Sequence, residues 1–167
     1  MVNERKRGVH VFRLADAIAA FAVYADLPLV HLPEFDRRVR NLTQRHYVPP
    51  ASRRGRADLY SLETICALHI AVVLTDFGLS RTQIDEVLHF LLVAGREKKK
   101  THIKEAVARA QANEAVLFGL ERTRGVVVPH LWFPDKGEAA PATKAALRID
   151  AADLLCGTIY LLEGHKQ

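Results

Sequence analysis

Cysteine is nearly absent from this chain: Cys66 and Cys156, ninety positions apart and each inside an apolar segment, are the two it has in 167 residues. Such sparse usage argues against a disulfide scaffold or a cysteine metal cluster and favours buried thiols in a reducing compartment. No apolar run approaches the ~18–20 residues needed to span a bilayer. The basic start, "MVNERKRGVHVF", leads into a stretch containing Asp16 rather than into a signal-peptide core. There is no glycine-rich phosphate loop, no nucleophile elbow and no carboxylate pair set in a polar cluster, so the expectation is a protein that is not an enzyme and uses no cofactor. Cys-x-x-Cys motifs and histidines paired at i, i+4 are missing as well. His69, His89 and His102 are scattered, and no metal site is expected. The single tryptophan, Trp132, lies in a β-type run where a core role is commoner than stacking on a ligand.

What is present is a globular composition, 49% hydrophobic and 26% charged, with an uneven charge. Residues 1–60 carry eleven Lys/Arg against six Asp/Glu, and the remainder carries thirteen of each, so the whole net charge of +5 sits in the first third. Its densest part is "RRVRNLTQRHYVPPASRRGRADLY", where seven arginines precede the first acid, Asp58. A local excess of this kind points to a polyanion, with nucleic acid the leading candidate. A solvated arginine face with no partner is the bland alternative.

Residues 11–24, "VFRLADAIAAFAVY", have the spacing of a helix with Phe12, Ala15, Ile18, Ala19 and Ala22 on one face. Leu27-Pro28 ends it, and Pro33 precedes a short helix over residues 34–46. The apolar positions of that helix, Phe35, Val39 and Leu42, form one thin seam. Arg37, Arg38, Arg40, Asn41, Gln44 and Arg45 take the remaining directions. Those side chains supply the donors and acceptors that match base edges and phosphates, so the helix suits major-groove reading. Pro49-Pro50 stops it, and residues 52–60 form two extended arms around Gly55, a hairpin wing with Arg53, Arg54 and Arg56 at its tip for the DNA backbone.

Ser61 then caps a helix with Leu62, Ile65, Leu68, Val72 and Val73 inward. A turn at Gly78 leads to a Ser80-capped helix with Ile84, Val87, Leu88 and Leu91 inward, ended by Gly95. Residues 96–100, "REKKK", are either a second phosphate contact or a solvated helix start. An alanine-rich helix with Ile103, Val107 and Ala110 on one side follows. "AVLFGLE", "GVVVPHLWF" and "KAALRID" read as three strands, the first two a hairpin, with a loop over residues 134–143 and a closing helix capped by Asp150 or Asp153. The fold class expected is α+β, mostly helical, with residues 1–95 as a DNA-binding domain and 96–167 as an oligomerisation or effector module. Leu117, Val126, Val128, Leu131, Trp132, Ile149 and Leu154 are either a dimer surface or a closed monomeric core.

In order and spacing, residues 11–92 resemble the DNA-binding domain of MerR-type transcriptional regulators and the related excisionase winged helices. The family's Leu-Arg-aromatic-aromatic signature is matched by Val39-Arg40-Asn41-Leu42, and its Gly-Leu-Leu-x-Pro by His46-Tyr47-Val48-Pro49-Pro50. Its wing motif corresponds loosely to residues 55–61, and its Gly-Leu-Ser/Thr-x-x-x-Ile to residues 78–84. Asn41 and Leu42 replace the two aromatics, His46 replaces the glycine, and the wing is one residue longer. The resemblance implies a winged helix-turn-helix that binds double-stranded DNA as a transcriptional regulator, homo-oligomeric, most simply a dimer, and cytoplasmic with the nucleoid. The alternative is an excisionase-like or DNA-packaging accessory protein that binds and bends DNA, and a third, weaker reading is a protein-binding winged helix.

Overall fold

Residues 11–13 do not open the first helix. In the computed structural model, which describes residues 10–46, 48–93, 101–123, 126–137 and 146–164, Val11–Arg13 form a strand, β1. Helix α1 runs from Leu14 to Tyr24. The apolar run was expected to be helical because Val11 and Phe12 fit either period. Pairing with a later strand takes them, and the backbone N–H of Arg13 is met by Asp16 Oδ2 at 3.2 Å, which sets the helix start. The buried face of α1 is correspondingly Ala17, Ile18, Ala20, Phe21 and Ala22, whereas Ala15 and Ala19, expected inside, are exposed.

A single 3₁₀ turn, Leu29–His31, leads into α2, Leu32–Arg45, with Pro33 in its first turn where a missing N–H costs nothing. Strands β2, Ser52–Arg54, and β3, Ala57–Ser61, follow as a hairpin, and the sheet order is β1-β3-β2, all antiparallel. Ser61 caps α3, Leu62–Asp76, by accepting the Thr64 N–H at 3.2 Å. Ser80 and Gln83 cap α4, Arg81–Leu92, reciprocally. Beyond the residues that are not described come α5, His102–Gln111, and the antiparallel sheet of β4, Leu117–Thr123, β5, Val126–Trp132, and β6, Ala146–Asp150, in the order β5-β4-β6. Helix α6, Ala151–Gly164, closes the chain, with the Asp153 N–H held by Asp150 Oδ1 at 3.1 Å.

The molecule is thus α+β and mostly helical. Gly95, the basic run 96–100 and residues 138–143 lie outside the described residues, as does Tyr47; Pro134–Lys136 of the expected loop form a 3₁₀ turn. Among the described residues no helix is long and apolar enough to cross a membrane.

Helix α3 is the centre. Its spacing predicts one apolar face, but it is buried almost all round, from Leu62 to Leu74, because "LETICALHIAVV" is apolar in nearly every direction. Helices α1, α4, α5 and α6 pack on it, so one buried cluster extends from Phe12 to Leu162, across the expected boundary at residue 95. Cys66 lies inside this core, and burial pushes its thiol pKa up. Cys156 is half-buried on α6 and donates to the Ala110 carbonyl. Tyr24 ties α1 to α6 by donating to Asp153 Oδ2 at 2.6 Å; burial first, and then this bond, push its phenol up to about 12.

The polar exception inside α3 is His69, 2% exposed and stacked on the Phe21 ring at 4.2 Å. The Thr158 hydroxyl donates to Leu154 O, so its oxygen accepts the His69 Nδ1–H at 2.6 Å, and the ring is neutral. Burial lowers the imidazole pKa from its ordinary 6.5 to about 3. Below pH 6.5 the unfolded chain therefore binds a proton that the folded chain refuses. The stability contributed is complete above 6.5 and falls by about 1.4 kcal/mol per unit as pH drops towards the folded value. Urea unfolding between pH 7 and about 5 should show this slope, and His69→Gln should flatten it relative to the parent.

In the second sheet, Phe118 and Leu120 face the core and Gly119 faces the other way, beneath Trp132. A Cβ on Gly119 would lie 2.3 Å and 2.6 Å from Trp132 ring carbons and 3.0 Å from the Leu147 carbonyl. Trp132, at 7% exposure, and Leu154, at 2%, are therefore enclosed within this chain and leave the candidate dimer surface, while Val126 remains 57% exposed. Replacing Gly119 by alanine should cost about 1–3 kcal/mol through overpacking. Because Trp132 is the only tryptophan, a shift of the intrinsic fluorescence should accompany that loss in denaturant titrations.

Candidate nucleic-acid interface

Helix α2 is anchored by the seam its spacing announced: Phe35, Val39 and Leu42 are buried, together with Thr43, whose hydroxyl turns back to the Arg40 carbonyl at 2.7 Å. The opposite side carries Arg37, Arg40, Gln44 and Arg45 in exposed positions and Asn41 half-buried. Three polar ties hold this helix on the body. Arg38 lies over the Phe35 ring and pairs with Asp76 at the end of α3. His46, its side chain 3% exposed, meets Asp85 on α4 through Nδ1. Arg81, at the start of α4, donates from Nη2 to the Arg45 carbonyl at 3.3 Å.

The hairpin of β2 and β3 follows α2 in the chain and packs through β3 on β1, α1 and α3. Register pairs Arg54 with Ala57, leaving the two-residue loop Gly55–Arg56, and φ at Gly55 is +63°, a conformation that glycine adopts without a side-chain clash. Arg53, Arg54 and Arg56 are all exposed. Arg53 faces its cross-strand neighbour Asp58, Nε to Oδ1 at 2.6 Å, whereas Arg54 and Arg56 have no carboxylate partner among the described residues. Arg40 is likewise held, by Asp36 one turn earlier at 2.7 Å and 3.0 Å.

Between α2 and the α3–α4 turn lies a groove of about 780 Å³ lined by Arg37, Arg38, Asn41, Arg45 and Arg81, with Glu34 as its acid. Two features of this surface, Arg81 and the aspartate partners, are not evident from the arginine cluster alone. Arg81 is brought in by the packing of α4 on α3, with no signal in its own neighbourhood. The aspartates at 36 and 58 sit at spacings, i to i+4 along a helix and across a two-residue hairpin, that a search for charge pairs finds.

The nine candidate residues thus divide. Arg38, Arg40 and Arg53 are held by aspartates, and Arg37, Arg45, Arg54 and Arg56 keep full, uncompensated charge among the described residues. Asn41 and Gln44 share the helix face with the free ones. The expected histidines remain apart: His69 is in the core, His102 stacks on Phe90, and His89 is exposed. Among the described residues no group of three His, Cys, Asp or Glu is placed to hold a metal ion. No family model, no curated protein and no solved structure matches this chain.

Proposed function

We propose that the protein binds double-stranded DNA sequence-specifically through a winged helix-turn-helix and acts as a transcriptional regulator. In this reading α1 and α2 are the helix pair, α2 lies in the major groove, and the β2–β3 hairpin is the wing on the backbone. The observation that carries it is the outward Arg/Asn/Gln face of α2, continued by Arg81 along the groove, together with a hairpin whose exposed tip carries three arginines. The unpaired Arg37, Arg45, Arg54 and Arg56 suit phosphates, because each adds a full positive charge. Asn41 and Gln44 suit base edges, whose donor and acceptor pattern they match. A regulator of this size gains affinity by placing two copies on two half-sites; Leu131 and Ile149 pack against the core, so half-buried Leu117 and Val128 with exposed Val126 are the remaining apolar surface for pairing.

Fluorescence anisotropy on duplex DNA over a range of salt tests the wing. Arg54→Ala with Arg56→Ala should lower the slope of log K against log salt by about two. Arg53→Ala alone should change it less, because Asp58 already offsets that charge. An unchanged slope in the double variant would place the hairpin away from DNA. For α2, Asn41→Ala and Gln44→Ala should each cost about 1–3 kcal/mol on the preferred site and relax preference at one position, leaving the salt slope alone. Retention of full affinity and preference by the double variant would remove α2 as the reading element.

A further inference from the structure

An arginine has two donor edges. The side edge is formed by Nε–H and one Nη2–H, and the end edge by Nη1–H and the other Nη2–H. Either edge matches the two oxygens of a carboxylate, and the end edge is also the fork that fits O6 and N7 of guanine. The three aspartate-held arginines of this surface use these edges differently. Arg38 gives its end edge to Asp76, Nη1 to Oδ1 and Nη2 to Oδ2, so its fork is occupied by the tie to α3. Arg53 makes a single bond from Nε. Arg40 gives Asp36 its side edge, Nε at 2.7 Å and Nη2 at 3.0 Å, which fixes the plane of the guanidinium and leaves the end edge open. The Arg40 side chain is 47% exposed.

A carboxylate beside an arginine is a handicap if the partner is a phosphate, because the two anions repel. Against a neutral base edge the same carboxylate carries little penalty, and it holds the fork in one orientation. The geometry points to Arg40 as the residue that reads a guanine in the major groove through its free Nη1/Nη2 edge, with Asp36 as the positioning residue that orients this fork and disfavours a phosphate in its place. The inference rests on the DNA-binding reading above and adds to it a base identity and a residue that touches no DNA. An i, i+4 aspartate–arginine pair also supports a helix by itself, so the test must read something that helix support does not move.

Selection from a library of randomised duplexes by the full chain, followed by binding to the selected duplex and its single-base variants, provides that reading. The parent protein should enrich a motif containing a guanine column. Asp36→Ala and Asp36→Asn, with unchanged circular dichroism, should bind a mixed-sequence duplex at least as tightly as the parent. They should also lose preference for that guanine by about tenfold. Arg40→Lys should lose the same column. If both Asp36 variants keep every column, or if Arg40→Lys alters none, the proposal is overturned while the DNA-binding reading stands. A parent protein that retains no duplex at all overturns both.

Discussion

The requirement that α3 be covered on every side governs the rest of the molecule. A helix with an apolar face needs one neighbour, but α3 has no polar face to leave in water, so α1, α4, α5 and α6 are all drawn against it. Elements on both sides of residue 95 consequently contribute to one core. Helix α6 docks through its buried apolar face and is tied by two polar contacts, Thr158 on His69 inside the core and Asp153 on Tyr24 at its exposed edge. A neutral histidine held in this way is acceptable only because its ring N–H has an acceptor; a buried donor without one would cost about 1–3 kcal/mol.

With the core supplied by α3, α2 needs only a thin seam. That is why it can carry so many charges: Phe35, Val39 and Leu42 suffice to dock it, and every other direction is available to polar side chains. Its orientation depends on ties at three places, Arg38 to Asp76, His46 to Asp85 and Arg81 to the Arg45 carbonyl. Exposed ion pairs contribute little to stability, about 0–1 kcal/mol each. Their consequence here is geometric. They divide a uniform-looking arginine cluster into side chains that are already engaged and side chains that are free, and they choose which edge of each guanidinium remains.

Local signals were legible where the physics is local. Ser61, Ser80 and Asp150 cap the helices that follow them, because a cap needs only its own oxygen and an N–H two or three residues on. The hairpin at Gly55 and the three C-terminal strands also follow from turn residues and β-branched runs. The misread parts depend on partners. Val11–Arg13 is a strand because β3 offers it an edge, and three residues carry too little periodicity to announce that. The buried face of α1 differs from the one its spacing predicts because its alanine-rich sequence leaves two phases nearly equal. Trp132 is covered on the sheet face turned away from the core because Gly119, diagonal to it across the ladder, leaves room for its ring.

By itself the sequence determined the concentration of positive charge in the first third, the seam that docks α2, the caps and the hairpin, since each rests on residues within a turn or two of one another. Tertiary structure alone decided that both halves share a core, that Arg81 joins the basic surface, and that Arg38 is a structural tie while Arg37 and Arg45 are free. The physical reason is range. Backbone capping and side-chain periodicity act over a few residues, whereas the partner of a charge or the cover of an apolar helix is whatever the chain brings within reach, thirty-eight residues away for Asp76 and eighty-nine for Thr158.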